Sequence, residues 1–403
     1  MAQSSVLHDF FARSRAFYSK HPRPISSATT LESLFISGHV SEYNAKKYIQ
    51  TNRVLVHQDV RSIIKSFLEY KRVTGTRIEK AVYSHFDWNV EQFIIRLVTK
   101  RPLSFLNSTD TTLLRDGRQF SNATANWDHV GTDHEYKSVP MVDYLTYEEM
   151  MISSLIGVSG YTAYLNDGRR SNEGILELDK AHKEGIQIGL VGARFERKGR
   201  MDSVYVSDQA DSHSFLRSFF PGQTFEQRYK SRIRIPIETM LIEAQDRGQG
   251  SSVGRKVWLN VIGLGLGAWR FTPEQDRWYI EVFTEALNHL NLSLIDTIEF
   301  GWLGFDKYTK INQHTRKAVE TAAVKSSTKI IWSQRAPSGR LPDSSLLLIT
   351  TYAWDSNSYP GNEFYMNQLS ASGDPAAAAS SLISETQNPE INTSMLDSIV
   401  YLS

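Results

Sequence analysis

Residues 350–381, with the sequence TTYAWDSNSYPGNEFYMNQLSASGDPAAAASS, bring acids, aromatic residues and turn formers together. Three carboxylates lie in this stretch, at Asp355, Glu363 and Asp374, and Trp354 directly precedes the first of them. A carboxylate that leaves an apolar strand beside an aromatic ring commonly has a shifted pKa, which suits it to acid or base catalysis. The stretch therefore predicts a site with carboxylates placed for proton transfer.

Asp374 has a good structural alternative, because Asp374-Pro375 directly precedes the helical pattern AAAASSLISE. Aspartate is a favoured N-cap residue, and proline is favoured at the first helical position. The structural explanations for Asp355 and Glu363 are weaker. We therefore expect one of the three acids to have a helix-capping role that competes with a role in chemistry.

A glycine-rich run, with Gly263, Gly265 and Gly267, follows the apolar strand-like sequence VWLNVI. Glycines at a strand end let backbone amides approach a phosphate closely. The run is not a dinucleotide-binding fingerprint, since its last glycine comes too early and the ribose-binding acid is missing, and it lacks the Gly-Lys-Ser/Thr of a P-loop. Two interpretations stay open: a pyrophosphate-binding loop, or glycines that fit a crowded strand end.

Two other polar groups have structural interpretations at least as good as functional ones. Asn166-Asp167-Gly168 is typical of a turn, and the alternative is that Asn166 and Asp167 hold a ribose. Arg194 and Glu196 lie two residues apart at the end of a strand-like run, which puts them on one face. We expect them to form a surface ion pair.

Beyond about residue 135, strand-like and helical patterns alternate, which predicts an α/β domain with a parallel or mixed sheet flanked by helices. The strand-like runs are 186–195, 203–207, 255–267, 297–304, 328–333 and 345–354. The helical patterns are EEMMISSLIG, PIETMLIEAQDR, TPEQDRWYIEVFTEALNHL and NQHTRKAVETAAVKSS. Ligands of such sheets bind beyond the carboxyl ends of the strands, where Asp355 and the glycine-rich run both fall.

The first third of the chain has a different texture. ATTLESLFISG has a threonine cap before an apolar run, and DVRSIIKSFLEYKRV and WNVEQFIIRLVTKRP have helical spacing. A turn-rich segment at 106–135 separates this part from the rest. We therefore predict a mostly helical N-terminal region at 1–130 and a ligand-binding domain at 131–403.

The composition excludes several classes of function. The chain has 403 residues, a formal net charge of +1 and no cysteine. The balanced charge argues against a nucleic-acid partner, and the missing cysteines exclude disulfides, thiolate catalysis and cysteine-ligated zinc. No apolar run approaches the roughly 18 residues of a membrane span. We expect a cytoplasmic protein without a membrane span, a metal or a cofactor.

Several segments together resemble the MavL-like family of Legionella effectors and their relatives, whose macrodomain-like fold is similar to that of poly(ADP-ribose) glycohydrolases. The resemblance lies in YLNDGRRSN, IGLVGARFE, NVIGLGLGAW, TYAWDSNSYPGNEFY, SGDPAAAASS and NPEIN. It spans about residues 140–395 and implies a hydrolase that removes ADP-ribose from a mono-ADP-ribosylated protein. An arginine linkage, ubiquitin as the leading candidate for the modified protein, and the host cytosol as the location of a secreted effector are further implications.

The resemblance also implies roles for individual residues. The acids of the C-terminal loops, Asp355, Glu363 and Asp374, would be catalytic, with the first two the strongest candidates. Other residues would contact ADP-ribose: Gly263, Gly265 and Gly267 at the pyrophosphate, Asn166 and Asp167 at a ribose, and Asn362, Trp354 and Tyr359, with core packing an equal alternative for the two aromatic residues. The glycine-triplet and Gln-Glu-Glu signature of enzymes that degrade the polymer is absent, and the middle acid is glutamate where the family pattern has aspartate. The missing signature favours a mono-ADP-ribosyl substrate, whereas glutamate at the middle position keeps the charge and moves the carboxylate by one methylene group.

Two other functions stay open from the sequence. A non-catalytic ADP-ribose reader would use the same domain to recruit a protein partner through the helical region. The three carboxylates argue against a non-catalytic reader. They would repel the pyrophosphate of ADP-ribose, and a protein that only binds this ligand has no need of them. An NAD-dependent oxidoreductase rests on the glycine-rich run alone and ranks last.

Overall fold

In a computed structural model of the chain, a large mixed sheet lies between helices. The structure describes residues 3–21, 29–84, 89–106, 111–120, 127–172, 174–196, 200–205, 214–250, 254–305, 309–355, 358–366 and 380–403. The helices are α1 (Gln3–Lys20), α2 (Leu31–Ile36), α3 (Glu42–Gln50), α4 (Gln58–Thr74), α5 (Arg77–Ser84), α6 (Val90–Thr99), α7 (Tyr147–Ser153), α8 (Ser214–Arg217), α9 (Phe225–Gln249), α10 (Gln275–His289), α11 (Gln313–Val324), α12 (Asn362–Met366) and α13 (Ile383–Thr386). Short 3-10 helices lie at Arg170–Asn172, Met201–Tyr205 and Thr393–Asp397.

The strands form two sheets. They are β1 (Arg53–His57), β2 (Ser104–Leu106), β3 (Thr111–Leu113), β4 (Gln119–Phe120), β5 (Gly157–Ala163), β6 (Glu184–Leu190), β7 (Val257–Val261), β8 (Ile295–Gly301), β9 (Lys329–Ser333), β10 (Leu347–Ala353) and β11 (Ile399–Leu402). The main sheet has the order β11-β1-β5-β6-β10-β7-β8-β9, and β2, β3 and β4 form a small antiparallel sheet. From β6 to β9 all neighbours in the main sheet are parallel, whereas β5 runs antiparallel to both β1 and β6. Since β1 is antiparallel to β5 and parallel to β11, these two strands run in the same direction as β6. The carboxyl ends of seven of the eight described strands of the main sheet therefore lie at one edge, and the predicted mixed α/β class is confirmed.

The side chains of the strands alternate between two apolar layers. Leu259 and Ile349, from neighbouring strands, pack with residues of α9, α10 and α11 on one side of the sheet. Val54 and Val56 of β1 pack with residues of α4, α6 and α7, while Leu55 between them joins the first layer. This alternation is the period of two that a strand covered on both faces requires. Among the described helices, none has the length and apolar character needed to cross a membrane.

Most of the predicted elements after residue 135 are present. Strands form in five of the six predicted runs, and all four helical patterns correspond to helices. The prediction of a strand at 203–207 is wrong for its described part, since Met201–Tyr205 is a 3-10 helix. The reason is local hydrogen bonding: the side chain of Ser203 bonds the backbone of Arg200, and Asp202 accepts from the backbone N–H of Arg194. Such bonds compete with a strand ladder.

The first third of the chain is mostly helical, as expected, and Thr30 caps α2 by accepting from the backbone N–H of Ser33 at 3.1 Å. It also supplies β1, a strand that the sequence patterns did not predict. That strand lies between β11 and β5 in the main sheet. The division of the chain at residue 130 stays a prediction.

Candidate active site

Asp355 lies two residues beyond the end of β10, at the edge where the parallel strands end. It is partly buried, and its Oδ2 accepts a hydrogen bond from Nδ2 of Asn362 at 2.8 Å. Burial raises the pKa of Asp355 above the ordinary aspartate value, and the charge of Glu196 acts in the same direction. The bond from Asn362 and the charge of Arg194 oppose this rise. The result is a carboxyl group that keeps its proton to a higher pH than an exposed aspartate.

The turn after Asp355 is held by backbone contacts on both sides. The N–H of Ser358 donates to the carbonyl of Asp355 at 3.0 Å, and the hydroxyl of Ser358 accepts from the N–H of Phe105 at 2.8 Å. Gly361 has φ +79°, and a Cβ there would lie 2.8 Å from Cβ of Ser384. Glycine is needed at this position for both its conformation and its lack of a side chain. The turn at Pro-Gly-Asn thus reverses the chain direction and brings the side chain of Asn362 within hydrogen-bonding distance of Asp355.

Glu363 is the second residue of α12, and its side chain is buried. Together with burial, its charge raises the pKa of Tyr352, a residue of β10. The hydroxyl of Tyr352 donates to Oε1 of Gln387 at 2.5 Å. Glu363 therefore lies near the strand that leads to Asp355, and the structure brings two of the three predicted acids to one region.

Asp374 lies outside the described residues, as does the rest of 367–379. Its two predicted roles, contact with the substrate and capping of a helix, both stay predictions. In the part of the chain that the structure describes, no group of three or more histidine, aspartate or glutamate side chains is arranged to hold a metal ion.

The expected surface pair of Arg194 and Glu196 is instead part of this site. β6 ends at Leu190, so both residues lie in the loop beyond it, and Arg194 is only 1% exposed. Its guanidinium donates to Oε1 of Glu196 at 2.9 Å and lies over the rings of Phe105 and Trp269, at 5.3 and 5.7 Å from their centres. The predicted pairing of Arg194 with Glu196 is confirmed, but the predicted surface position is wrong for Arg194, because the strand ends before residue 195 and the following loop buries the guanidinium. The sequence feature that could have placed these two residues in the site is their position directly after an apolar strand, where ligands of α/β sheets bind.

The glycine-rich loop follows β7 at the same edge, next to the loop after β6. Gly265 has φ +70°, and a Cβ there would lie 2.7 Å from the carbonyl oxygen of Ala193. A Cβ at Gly263 would lie 2.8 Å from Cδ2 of Leu303, whereas the space around Gly267 is open. The crowded-strand interpretation thus accounts for the first two glycines. Gly267 is exposed, so its backbone is accessible to a ligand.

Alanine substitutions separate the two interpretations of this loop. Gly265→Ala is expected to lower the free energy of unfolding by at least about 1 kcal/mol, because alanine disfavours positive φ and its methyl group meets Ala193. Gly267→Ala should leave stability unchanged. If the backbone at Gly267 approaches a pyrophosphate, this variant should bind ADP-ribose more weakly in calorimetry. Equal affinity in Gly267→Ala and the wild type would contradict a role for that position in phosphate binding.

Asn166 and Asp167 lie far from Asp355. They follow β5, which is antiparallel to β6, so they lie at the opposite edge, a strand length of roughly 20 Å away. Oδ1 of Asn166 accepts from the N–H of Gly168 at 2.9 Å, and Oδ1 of Asp167 accepts from Nδ2 of Asn172 at 2.7 Å. These are the bonds of a turn, and the structure does not bring the two residues together with the acids.

Trp354 and Tyr359 are both buried, with 1% of each exposed. The ring of Trp354 stacks with Tyr352 at 6.3 Å, and the guanidinium of Arg101 lies 4.7 Å from its centre. The hydroxyl of Tyr359 donates to the carbonyl of Thr99 at 2.8 Å. These positions favour the packing alternative for both residues, since a ring covered by protein is not available to stack on a base.

The site therefore combines two buried or partly buried acids, a buried arginine paired with a partly buried glutamate, and an exposed glycine backbone at one sheet edge. An acid with a raised pKa beside a fixed cation can stabilise positive charge on a substrate and exchange a proton with it. The carboxyl ends of parallel strands are also where α/β sheets bind their ligands. This arrangement suits hydrolysis of a bond whose transition state is cationic.

Comparison with known proteins agrees with this chemistry. The family profile described as "ADP-ribosylhydrolase MavL-like" matches residues 9–214 and 202–400. The chain is 31% identical over 389 residues to ADP-ribosylarginine hydrolase CG3568 of Drosophila melanogaster, and the matched region covers 84% of this chain and 75% of the relative. It is 27% identical over 391 residues to ADP-ribosylarginine hydrolase CG2909 of the same species, with 84% and 76% covered.

Proposed function

This chain belongs to the MavL-like ADP-ribosylhydrolase family, and we propose that it releases ADP-ribose from arginine side chains of proteins. Two relatives are named as ADP-ribosylarginine hydrolases, which supports the arginine linkage. The structural observation that carries the proposal is the position of Asp355, partly buried beyond β10 and bonded to Asn362. Beside it lie Arg194 and Glu196, at the edge where α/β sheets bind ligands.

The reaction breaks the bond between C1″ of the distal ribose and a guanidinium nitrogen. Water supplies the hydroxyl group at C1″ and the proton that the arginine nitrogen takes, so the products are ADP-ribose and an arginine side chain. As in other glycoside hydrolyses, the transition state resembles an oxocarbenium ion. In this proposal the Asp355 carboxylate stabilises that positive charge and orients the water, while Glu363 holds the cationic arginine as it leaves.

Gly267 is our candidate for the backbone contact to the pyrophosphate, because it is exposed and its surroundings are open. Gly263 and Gly265 contribute to the same loop by letting it pack closely. The buried Arg194 supports an anionic ligand at this edge through its charge. Ubiquitin as the modified protein, a macrodomain-like mode of ADP-ribose binding and a cytoplasmic location rest on the sequence resemblance and composition, and they stay predictions.

A comparison of three linkages tests the proposed function. We expect the purified chain to release free ADP-ribose from an arginine-ADP-ribosylated peptide and to act at least roughly 100-fold more slowly on serine- and glutamate-linked peptides of the same sequence, because the acids are placed for a cationic leaving group. Release can be followed by liquid chromatography and mass spectrometry. Preference for another linkage would refute the arginine assignment. Tight binding of ADP-ribose without release from any of the three peptides would favour a reader.

A further inference from the structure

The hydrogen bond between Asn362 and Asp355 joins a fully buried amide to a partly buried carboxyl group. Asn362 is fully buried, and its Nδ2 donates to Oδ2 of Asp355 at 2.8 Å. Its Oδ1 is also buried but has no hydrogen-bond partner among the described residues. A buried amide oxygen without a partner costs free energy, so such an atom in a site calls for an explanation.

Among the described residues, Asp355 is the one hydrogen-bond partner of the Asn362 side chain, so it determines which way the amide faces. An amide donates to an ionised carboxylate, as observed here. A protonated carboxyl group can instead donate its own proton to an amide oxygen. Since Oδ1 has no other described partner, rotation of the amide by 180° breaks no hydrogen bond except the one to Asp355. The pair can therefore stay hydrogen-bonded in both protonation states of Asp355.

We propose that Asn362 is a positioning residue that keeps the Asp355 carboxyl group oriented in its ionised and its protonated form by turning its amide. This inference rests on the proposed function, in which Asp355 acts on the ribose. It explains why the buried amide of Asn362 has an acceptor atom with no partner among the described residues. It also lets Asp355 gain and lose a proton during turnover without leaving its position.

Two substitutions of Asn362 should change the pH dependence of kcat in different ways. Asn362→Ala removes the hydrogen bond to Asp355 in its ionised form and the one in its protonated form. The kcat should therefore fall roughly 10- to 100-fold at every pH while KM changes little. Asn362→Asp keeps the shape of the side chain and places a second carboxyl group beside Asp355. A pair of carboxyl groups that shares one proton can still form the bond, but repulsion sets in when both ionise. Activity of Asn362→Asp should therefore be retained at acidic pH and fall at alkaline pH, where the wild type stays active.

Asn260 provides a matched control. It too is fully buried, its Nδ2 donates to a carboxylate, Oε2 of Glu299, at 3.1 Å, and its Oδ1 has no described partner. That carboxylate is neutralised by Arg335 at 2.8 Å and has no part in the proposed reaction. Asn260→Asp should lower the melting temperature without adding an alkaline limb to the pH profile of kcat.

A second measurement does not depend on turnover. The charged groups that face Asp355 among the described residues are Arg194 and Glu196, from the loop after β6. With these unchanged, Asn362→Ala removes a hydrogen bond from both forms of Asp355, so the pKa of Asp355, measured by carboxyl 13C NMR on the free protein, should change little although kcat falls. A marked rise in that pKa, which loss of a bond to the carboxylate alone would give, or an Asn362→Asp profile that matches the wild type, would overturn the inference. A wild-type chain that releases no ADP-ribose, while the pKa of Asp355 is the same with and without Asn362, would instead count against the proposed function alone.

Discussion

Asp355→Asn is expected to lower the kcat for ADP-ribosylarginine hydrolysis at least roughly 100-fold and to raise the melting temperature of the protein. The loss follows because an amide cannot stabilise the cationic ribose or exchange a proton, and such groups commonly contribute 10²- to 10⁴-fold. The gain in stability follows from burial, which raises the pKa of Asp355. The stabilisation from a carboxyl group with a raised pKa in the folded state is fully present at pH values below its unfolded pKa. That contribution is lost as the pH rises through the folded value.

At neutral pH the charge of Asp355 is therefore a cost to the folded protein, which asparagine removes without changing the shape of the side chain. The measurement is a pair of melting curves at pH 7 and at pH 4, together with kcat. The difference in melting temperature between wild type and variant should shrink at pH 4. A variant that is less stable than the wild type at pH 7 would contradict the burial argument, and one with wild-type kcat would remove Asp355 from the mechanism.

The sheet was predictable after residue 135 because apolar runs such as Leu347–Ala353 alternate with helical patterns and are bounded by turn residues. β1 was missed, since its five residues, RVLVH, lie between two helical patterns and are too short to show a period. Its place between β5 and β11 depends on pairing with a strand almost 350 residues later. No local pattern contains that information.

The site was predictable to the extent that its residues follow strands at one edge. Asp355 was found because it directly follows an apolar run, and Glu363 because it shares the same loop. The role of Arg194 was missed, since a charged residue near a strand end is usually exposed, and only the packing of Phe105 and Trp269 around it reveals its burial. For Asn166 the local structure was predictable from the sequence, but its position relative to the acids was not. Its turn signal was correct, but only the antiparallel direction of β5 places it at the far edge.

Substitutions at Arg194 and Glu196 are expected to shift the acid limb of the kcat profile in opposite directions. The positive charge of Arg194 lowers the pKa of Asp355 and the negative charge of Glu196 raises it. If ionised Asp355 is the active form, activity is lost as the pH falls through that pKa. Arg194→Met should therefore move the acid limb to higher pH, and Glu196→Gln should move it to lower pH.

The two variants should also differ in stability, which separates an electrostatic role from a purely structural one. Arg194→Met leaves two acids near each other without their buried cation, and loss of one partner of a buried pair commonly costs about 3–5 kcal/mol in the free energy of unfolding. Glu196→Gln keeps the shape of its side chain and an acceptor for Arg194, so its cost should be smaller. Arg194→Lys, which keeps the charge, serves as the control and should shift the limb less than Arg194→Met. Shifts of the same sign in Arg194→Met and Glu196→Gln, or no shift in either, would mean that the pair does not set the proton affinity of Asp355. Its burial beside the site would then reflect packing between Phe105 and Trp269 alone.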